Sequence, residues 1–157
     1  MNIRIDTHSH TLASGHAYNT LREMAAMAAE KGLEGLAVTE HAPEMPGSCQ
    51  LYEFQNLRVV PLTLYNIHLL LGTELNIMDR EGNVDLPQGV IRDLDIAIAS
   101  LHTPCFKDER IQENVMQAYL SVMENPYIDI IGHPDAGRFP ADSEVLAREE
   151  KRTGPLL

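Results

Sequence analysis

Apolar stretches that run into a histidine or an acid recur along this chain, and that recurrence restricts its fold more than any other feature. Ile3-Arg4-Ile5 leads into Asp6-Thr7-His8-Ser9-His10, and Leu36-Ala37-Val38-Thr39 runs into Glu40-His41. Leu69 to Asn76 carries Glu74 near its end, Leu94 to Ser100 leads to His102, and Ile128 to Gly132 leads to His133. Each stretch has the length and composition of a strand, and the third is uniformly apolar at its start, as in a strand buried on both faces. Helical signals lie between them. Thr20 with Glu23 makes a capping box before a stripe of Leu21, Met24, Ala25 and Ala28, and Gly32 ends it. Ile111, Val115, Ala118, Tyr119 and Val122 mark a second helix, stopped at Asn125-Pro126, and Asp142 or Ser143 caps a last one through Arg152. Leu51 to Tyr65 reads as helical and divided by Pro61, while Asp79 to Asn83 reads as a hairpin turn with Val84 opening a short return strand. Strand alternating with helix predicts parallel pairing, hence an α/β fold with about five main parallel strands.

Functional groups of parallel α/β proteins gather at the carboxyl ends of the strands. Of the seven histidines, all but His68 fall at such an end or on the adjoining loop, where His16 lies. Side chains at i and i+2 of an extended chain share a side, so His8 and His10 can reach one ion. Neutral imidazole is a common metal ligand, and Asp6 or a backbone carbonyl can orient its second nitrogen. A metal centre built from His8, His10, His16, His41, Glu74, His102 and His133 is therefore the expectation. The competing bland reading is a polar network closing one end of the sheet. His68 reads as structural, and Asp6 as a turn former or outer support. Asp135 reads as a solvated loop acid. Glu40, which alternation points away from His41, reads as structural.

Composition narrows the function. The 157 residues suggest one domain with a sizeable core, and the formal net charge is −11. No cluster of Lys and Arg provides a nucleic-acid footprint, so direct nucleic-acid binding is not expected. No apolar run approaches the ~20 residues of a membrane span, and Arg4 and Asp6 interrupt any signal-peptide pattern. Cys49 and Cys105 form no C-x-x-C, and a reducing cytoplasm is the simplest setting. Bound divalent ions would offset the negative charge, so a phosphorylated substrate fits. Arg58, Lys107, Arg110 and Arg138 are candidates to hold its phosphate.

The motifs D-T-H-S-H at residues 6–10, T-E-H at 39–41, G-T-E at 72–74, S-L-H at 100–102 and G-H-P at 132–134, with His16 between the first two, resemble the polymerase and histidinol phosphatase (PHP) superfamily. The chain looks most like its YcdX-type phosphoesterase branch, through A-S-G-H-A-Y at 13–18 and E-L-N-I at 74–77. The resemblance covers essentially the whole chain, 1–157, as one domain. It implies a distorted seven-stranded, TIM-like (β/α) barrel holding up to three divalent metals, zinc or manganese. It implies hydrolysis of a small phosphomonoester by a metal-activated water. By the same resemblance His8 and His10 are ligands of a first metal, and Glu74 is the carboxylate bridging first and second. His102 and His133 complete the second, and His16 and His41 belong to a third.

One departure stands out. The family supplies two further ligands from an Asp-x-His motif late in its barrel, and nothing after His133 matches it. Gly154-Pro155-Leu156-Leu157 resembles the lead-in to another strand. The expectation is therefore an incomplete barrel, lacking about two strands, with an exposed edge that favours a homo-oligomer. Two other readings compete. A catalytically impaired metal-binding fragment would use the same ligands for folding or assembly. An amidohydrolase-type barrel also uses an N-terminal H-x-H, but its customary lysine has no candidate here.

Overall fold

The computed structural model describes residues 3–156. Five strands lie in parallel and in chain order: β1 (Ile5–Asp6), β2 (Gly35–His41), β4 (Ile67–Asn76), β5 (Ile96–Ser100) and β6 (Ile130–Ile131). A further short strand, β3 (Thr63–Leu64), pairs antiparallel with the start of β4. Each parallel strand adds beside its predecessor, so the sheet curls in one direction into a half-barrel, the incomplete TIM-like form. Leu156 continues the series by bridging in parallel to Ile130, through Ile131 N–H to Leu156 O (2.7 Å) and Leu156 N–H to Asp129 O (2.8 Å).

Strand alternation divides the core into two faces. Leu36 and Val38 of β2, with Leu69 and Leu71 of β4, pack outward against Ala25 and Ala28 of α1 (Leu21–Glu30). Ala97 and Ala99 of β5 and Ile131 of β6 pack outward against Val115, Ala118, Tyr119 and Val122 of a later helix, Gln112–Met123. Each fully buried Val, Leu or Ile side chain in these layers contributes about 1.5–3 kcal/mol, and each alanine methyl less. The complementary residues, Thr39 and His41, Gly72, Glu74 and Asn76, and Ile98 and Ser100, face the concave side. The carboxyl-end members of that face are polar, and they build the site.

The local signals explain most elements. The Thr20 capping box closes as read, with Thr20 Oγ1 accepting from Glu23 N–H (3.3 Å) and Glu23 Oε2 accepting from Thr20 N–H (2.7 Å). Asp142 caps the last helix, Ser143–Thr153, and Gly154 ends it at φ 106°. The expected helix from Leu51 to Tyr65 is corrected. Here α2 covers only Leu51–Asn56, and a single tighter turn follows at Leu57–Val59. Pro61 offers no N–H, and the residue before it is driven out of helical conformation. Tyr65 (φ 51°) and Asn66 (φ 63°) then take left-handed backbone, the geometry of a tight hairpin turn, and fold β3 back onto β4. The expected return strand at Val84 is one isolated bridge to Ile77. The crossover from β4 to β5 contains only the short α3 (Gln88–Ile91), which no periodicity announced. With α4 denoting Gln112–Met123 and α5 denoting Ser143–Thr153, the element series is complete. Among the described residues, no helix is long and apolar enough to cross a membrane.

Candidate metal centre

The carboxyl ends of the strands surround one carboxylate. Glu74 is an inward residue of β4, only 1% exposed, and five imidazoles converge on it. His8 Nε2, His10 Nε2 and His41 Nδ1 lie 3.3, 3.2 and 2.9 Å from Oε2. His102 Nε2 and His133 Nε2 lie 3.3 and 2.9 Å from Oε1. His16 does not touch Glu74. It stands in the loop after β1, where its ligand atom and those of His10 and His41 lie within 4.8 Å of one another. Two more such groups are His8, His10 and Glu74, and His41, Glu74 and His102. All seven residues singled out by strand-end position thus line one open cleft of about 750 Å³. The tight groups cut across the partition that the family resemblance implied, because His10 joins His16 and His41, and His41 joins His102.

The electrostatics follow from this crowding. Burial would raise the pKa of Glu74, but the imidazoles of His10, His102, His133 and His41 against its two oxygens outweigh it whenever the facing nitrogen carries a proton, and they hold the carboxyl far below its usual range. His133 donates the one well-aligned hydrogen bond among them, at 2.9 Å. The hydrogen bond to Glu74 raises the pKa of His133. Burial lowers that of His41 despite the same carboxylate nearby. His41 Nδ1 is fully buried and, although 2.9 Å from Glu74, lies out of line for a hydrogen bond. A buried imidazole nitrogen without a hydrogen-bond partner, beside a carboxylate already shared by several rings, fits a divalent cation as the missing partner. The mixed imidazole and carboxylate set suits zinc, manganese or iron. His133 itself sits at φ 34°, a strained left-handed conformation for a non-glycine residue, of the kind that clusters at functional sites.

Of the supporting residues, Asp6 and Glu40 read in the sequence as support or structure, whereas Ser14, Asn76 and Asp85 are not legible there. Asn76, two positions beyond Glu74 on the same face of β4, places Oδ1 2.7 Å from His102 Nδ1. Asp85 receives the Asn76 amide at 2.6 Å and the Asn76 backbone N–H at 2.8 Å. Glu40, 3% exposed, turns away from Glu74 and receives Thr11 N–H (3.0 Å), the Thr11 hydroxyl and the Ser14 hydroxyl. Asp6 accepts from His8 N–H at 3.2 Å. His68 is exposed, paired with Gly35 at the far end of β4 from the cleft. Of the four cationic candidates only Arg138 lines the cleft. Arg110 lies 6.0 Å over the Phe139 ring, Arg58 borders a separate cavity of about 620 Å³, and Lys107 is exposed.

Comparison with known proteins assigns the chain to a family. A family model, the PHP domain, matches residues 6–152. The chain belongs to the PHP family. Curated relatives include a probable phosphatase of Thermoanaerobacter sp. (strain X514), 45% identical over 157 residues, spanning 100% of this chain and 64% of that protein. A probable phosphatase of Clostridium novyi (strain NT) is 46% identical over 153 residues, 98% of this chain and 62% of its own length. This PHP chain thus spans just under two thirds of those relatives. Among solved structures, histidinol phosphate phosphatase from Lactococcus lactis, in complex with zinc, L-histidinol and phosphate, superposes with a TM-score of 0.56 at 21% identity. The superposition covers 85% of this chain and 58% of that one, a likeness of fold.

Proposed function

We propose that this PHP chain carries the centre of a metal-dependent phosphoesterase that hydrolyses a small phosphomonoester. The observation that carries the reading is one buried carboxylate, Glu74, with five imidazoles at 2.9 to 3.3 Å around it. In this reading His8 and His10 hold one divalent ion with Glu74, His102 and His133 hold a second with the same carboxylate, and His16 and His41 serve a third. Zinc is favoured by the company of the Lactococcus lactis structure, and manganese is equally compatible with the donors. Such ions, when bound, supply positive charge beside the phosphoryl oxygens and make water acidic enough to act as nucleophile near neutral pH.

The chain's own residues do the rest. Glu74, which accepts a hydrogen bond from His133 at 2.9 Å, would stay ionised and share its charge between two cations. Arg138, the one guanidinium on the cleft wall among the described residues and without an ion-pair partner there, orients the substrate's phosphate. Met45, Pro46 and Pro104 line the cleft too and give it an apolar rim. The names of the curated relatives support a phosphatase. The net charge of −11 suits a small substrate better than a nucleic acid. Free, buried Cys49 and Cys105 suit the cytoplasm.

Turnover of p-nitrophenyl phosphate by the 157-residue chain loaded with zinc or manganese tests this. Hydrolysis should be lost in Glu74→Gln, while Arg138→Ala should raise KM about tenfold, the loss of one charge-assisted contact. Tight metal binding with no turnover of any phosphomonoester would instead leave a metal-binding unit without catalysis.

A further inference from the structure

Two carboxylates that do not line the cleft, Glu40 and Asp85, each end a hydrogen-bond chain that begins on a histidine of the cleft. We propose that they set the tautomers of these histidines, Glu40 acting on His10 through Ser14 and Asp85 acting on His102 through Asn76, so that both rings turn an unprotonated Nε2 into the centre. The inference rests on the metal reading above for its purpose, though its geometry stands without any ion.

Donor and acceptor counting gives the direction of each chain. Asn76 Nδ2 lies 2.6 Å from Asp85 Oδ2 and 3.3 Å from Ala42 O, both of which only accept. The amide must therefore present its NH₂ to them and its Oδ1 to His102. Flipping it would set an oxygen against two acceptors. Asp85 is itself fixed by the backbone N–H groups of Asn76 (2.8 Å) and Glu44 (2.9 Å). The ring nitrogen 2.7 Å from Oδ1, His102 Nδ1, then has to be the donor. In a neutral imidazole this leaves Nε2 with its lone pair.

The second chain obeys the same count. The single Ser14 hydroxyl proton goes to the carboxylate of Glu40. Ser14 Oγ then accepts from the backbone N–H of His41 at 3.0 Å, and its remaining contact, His10 Nδ1 at 3.2 Å, must also donate. Glu40 is held in turn by Thr11 N–H, at 3.0 and 3.2 Å from its two oxygens. His16 Nδ1, 3.2 Å from the Ser14 carbonyl, is likewise a donor. The consequence is local conflict. The Nε2 atoms of His10 and His102 lie 3.2 and 3.3 Å from Glu74 oxygens, lone pair facing lone pair, an arrangement that a cation between them resolves. Glu40 and Asp85 thus act as positioning residues: they never touch the ion, and they impose the tautomer that it requires.

Nitrogen-15 histidine spectra of the metal-free 157-residue chain at pH 8 test this, with rings assigned by His10→Gln and His102→Gln. The expected result is Nδ1-protonated rings at His10 and His102, although free histidine favours the other tautomer. Asn76→Ala should revert His102 alone, Ser14→Ala should revert His10 alone, and each should weaken zinc binding about 10- to 100-fold in chelator competition. The exchanged pair Asn76→Asp with Asp85→Asn keeps an acceptor on His102 and should recover most of that loss. Nε2-protonated rings in the unsubstituted chain would overturn the proposal without recourse to any variant. So would zinc affinity within twofold of the parent in both Asn76→Ala and Ser14→Ala. If the tautomers are as assigned and the parent binds no zinc, the tautomer chains stand and the metal reading fails.

Discussion

Protons and metal ions compete for the same imidazole lone pairs around Glu74. Metal uptake displaces protons, so zinc affinity should fall on acidification from pH 8 to 6, on the order of tenfold per pH unit for each proton displaced below an imidazole pKa. The two resolved shifts run in opposite directions: His133, whose pKa the hydrogen bond to Glu74 raises, should be protonated before His41, whose pKa burial lowers. Chelator competition at several pH values checks this, and a flat profile would contradict it. The two cysteines offer a second residue-level prediction. Burial pushes Cys49 up to about 12 and Cys105 up to about 11. Both thiols should stay inert to a disulfide reagent at pH 8 until the chain is unfolded in guanidinium, and rapid labelling of the native chain would contradict the packing.

The strands set the site because neighbouring backbones approach closely beneath it. A Cβ placed on Gly72 would stand 2.1 Å from the carbonyl oxygen of Ile96 on β5, and backbone cannot swing aside. Gly72→Ala should cost about 2–3 kcal/mol in urea unfolding, by prising β4 from β5. Gly89 of α3 has nothing within 4 Å of such a Cβ, so Gly89→Ala should be neutral or stabilise by about 0.5–1 kcal/mol. Equal effects would contradict the register. At this scale the parallel strands and their charged ends were legible, because a polar residue closing an apolar run is conspicuous: Glu74 after Leu69-Leu70-Leu71 is the clearest case. The hairpin of β3 and β4 was hidden, since Tyr65 adopts left-handed backbone that its residue type does not announce and Asn66 alone, which favours that conformation, is a weak turn signal without a glycine beside it. Ser14, Asn76 and Asp85 were hidden for another reason. They are ordinary polar residues whose roles depend on partners distant in sequence, as in Asn76 with His102 and Ser14 with Glu40, each 26 positions apart. Pro61 was read, but its consequence, a chain reversal rather than a divided helix, was not.

Residues 3–156 form a half-barrel with β1 at one side and β6 at the other, where Leu156 adds a bridge to Ile130. Unpaired strand edges invite a second chain. Light scattering behind size exclusion should therefore find dimers or larger species at micromolar concentration, and a monomer at every concentration would contradict that expectation. The cleft lies inside the curl and is built from five consecutive strand ends, so its chemistry is a property of the assembled sheet and not of any one motif. The most direct measurement of the central claim is the metal content of the purified 157-residue chain after zinc loading and desalting, set beside Glu74→Gln. Two or more zinc ions per chain are expected, with loss of most of them in Glu74→Gln, because one carboxylate faces the imidazoles on both of its sides. No retained zinc, or equal retention without the carboxylate, would contradict it.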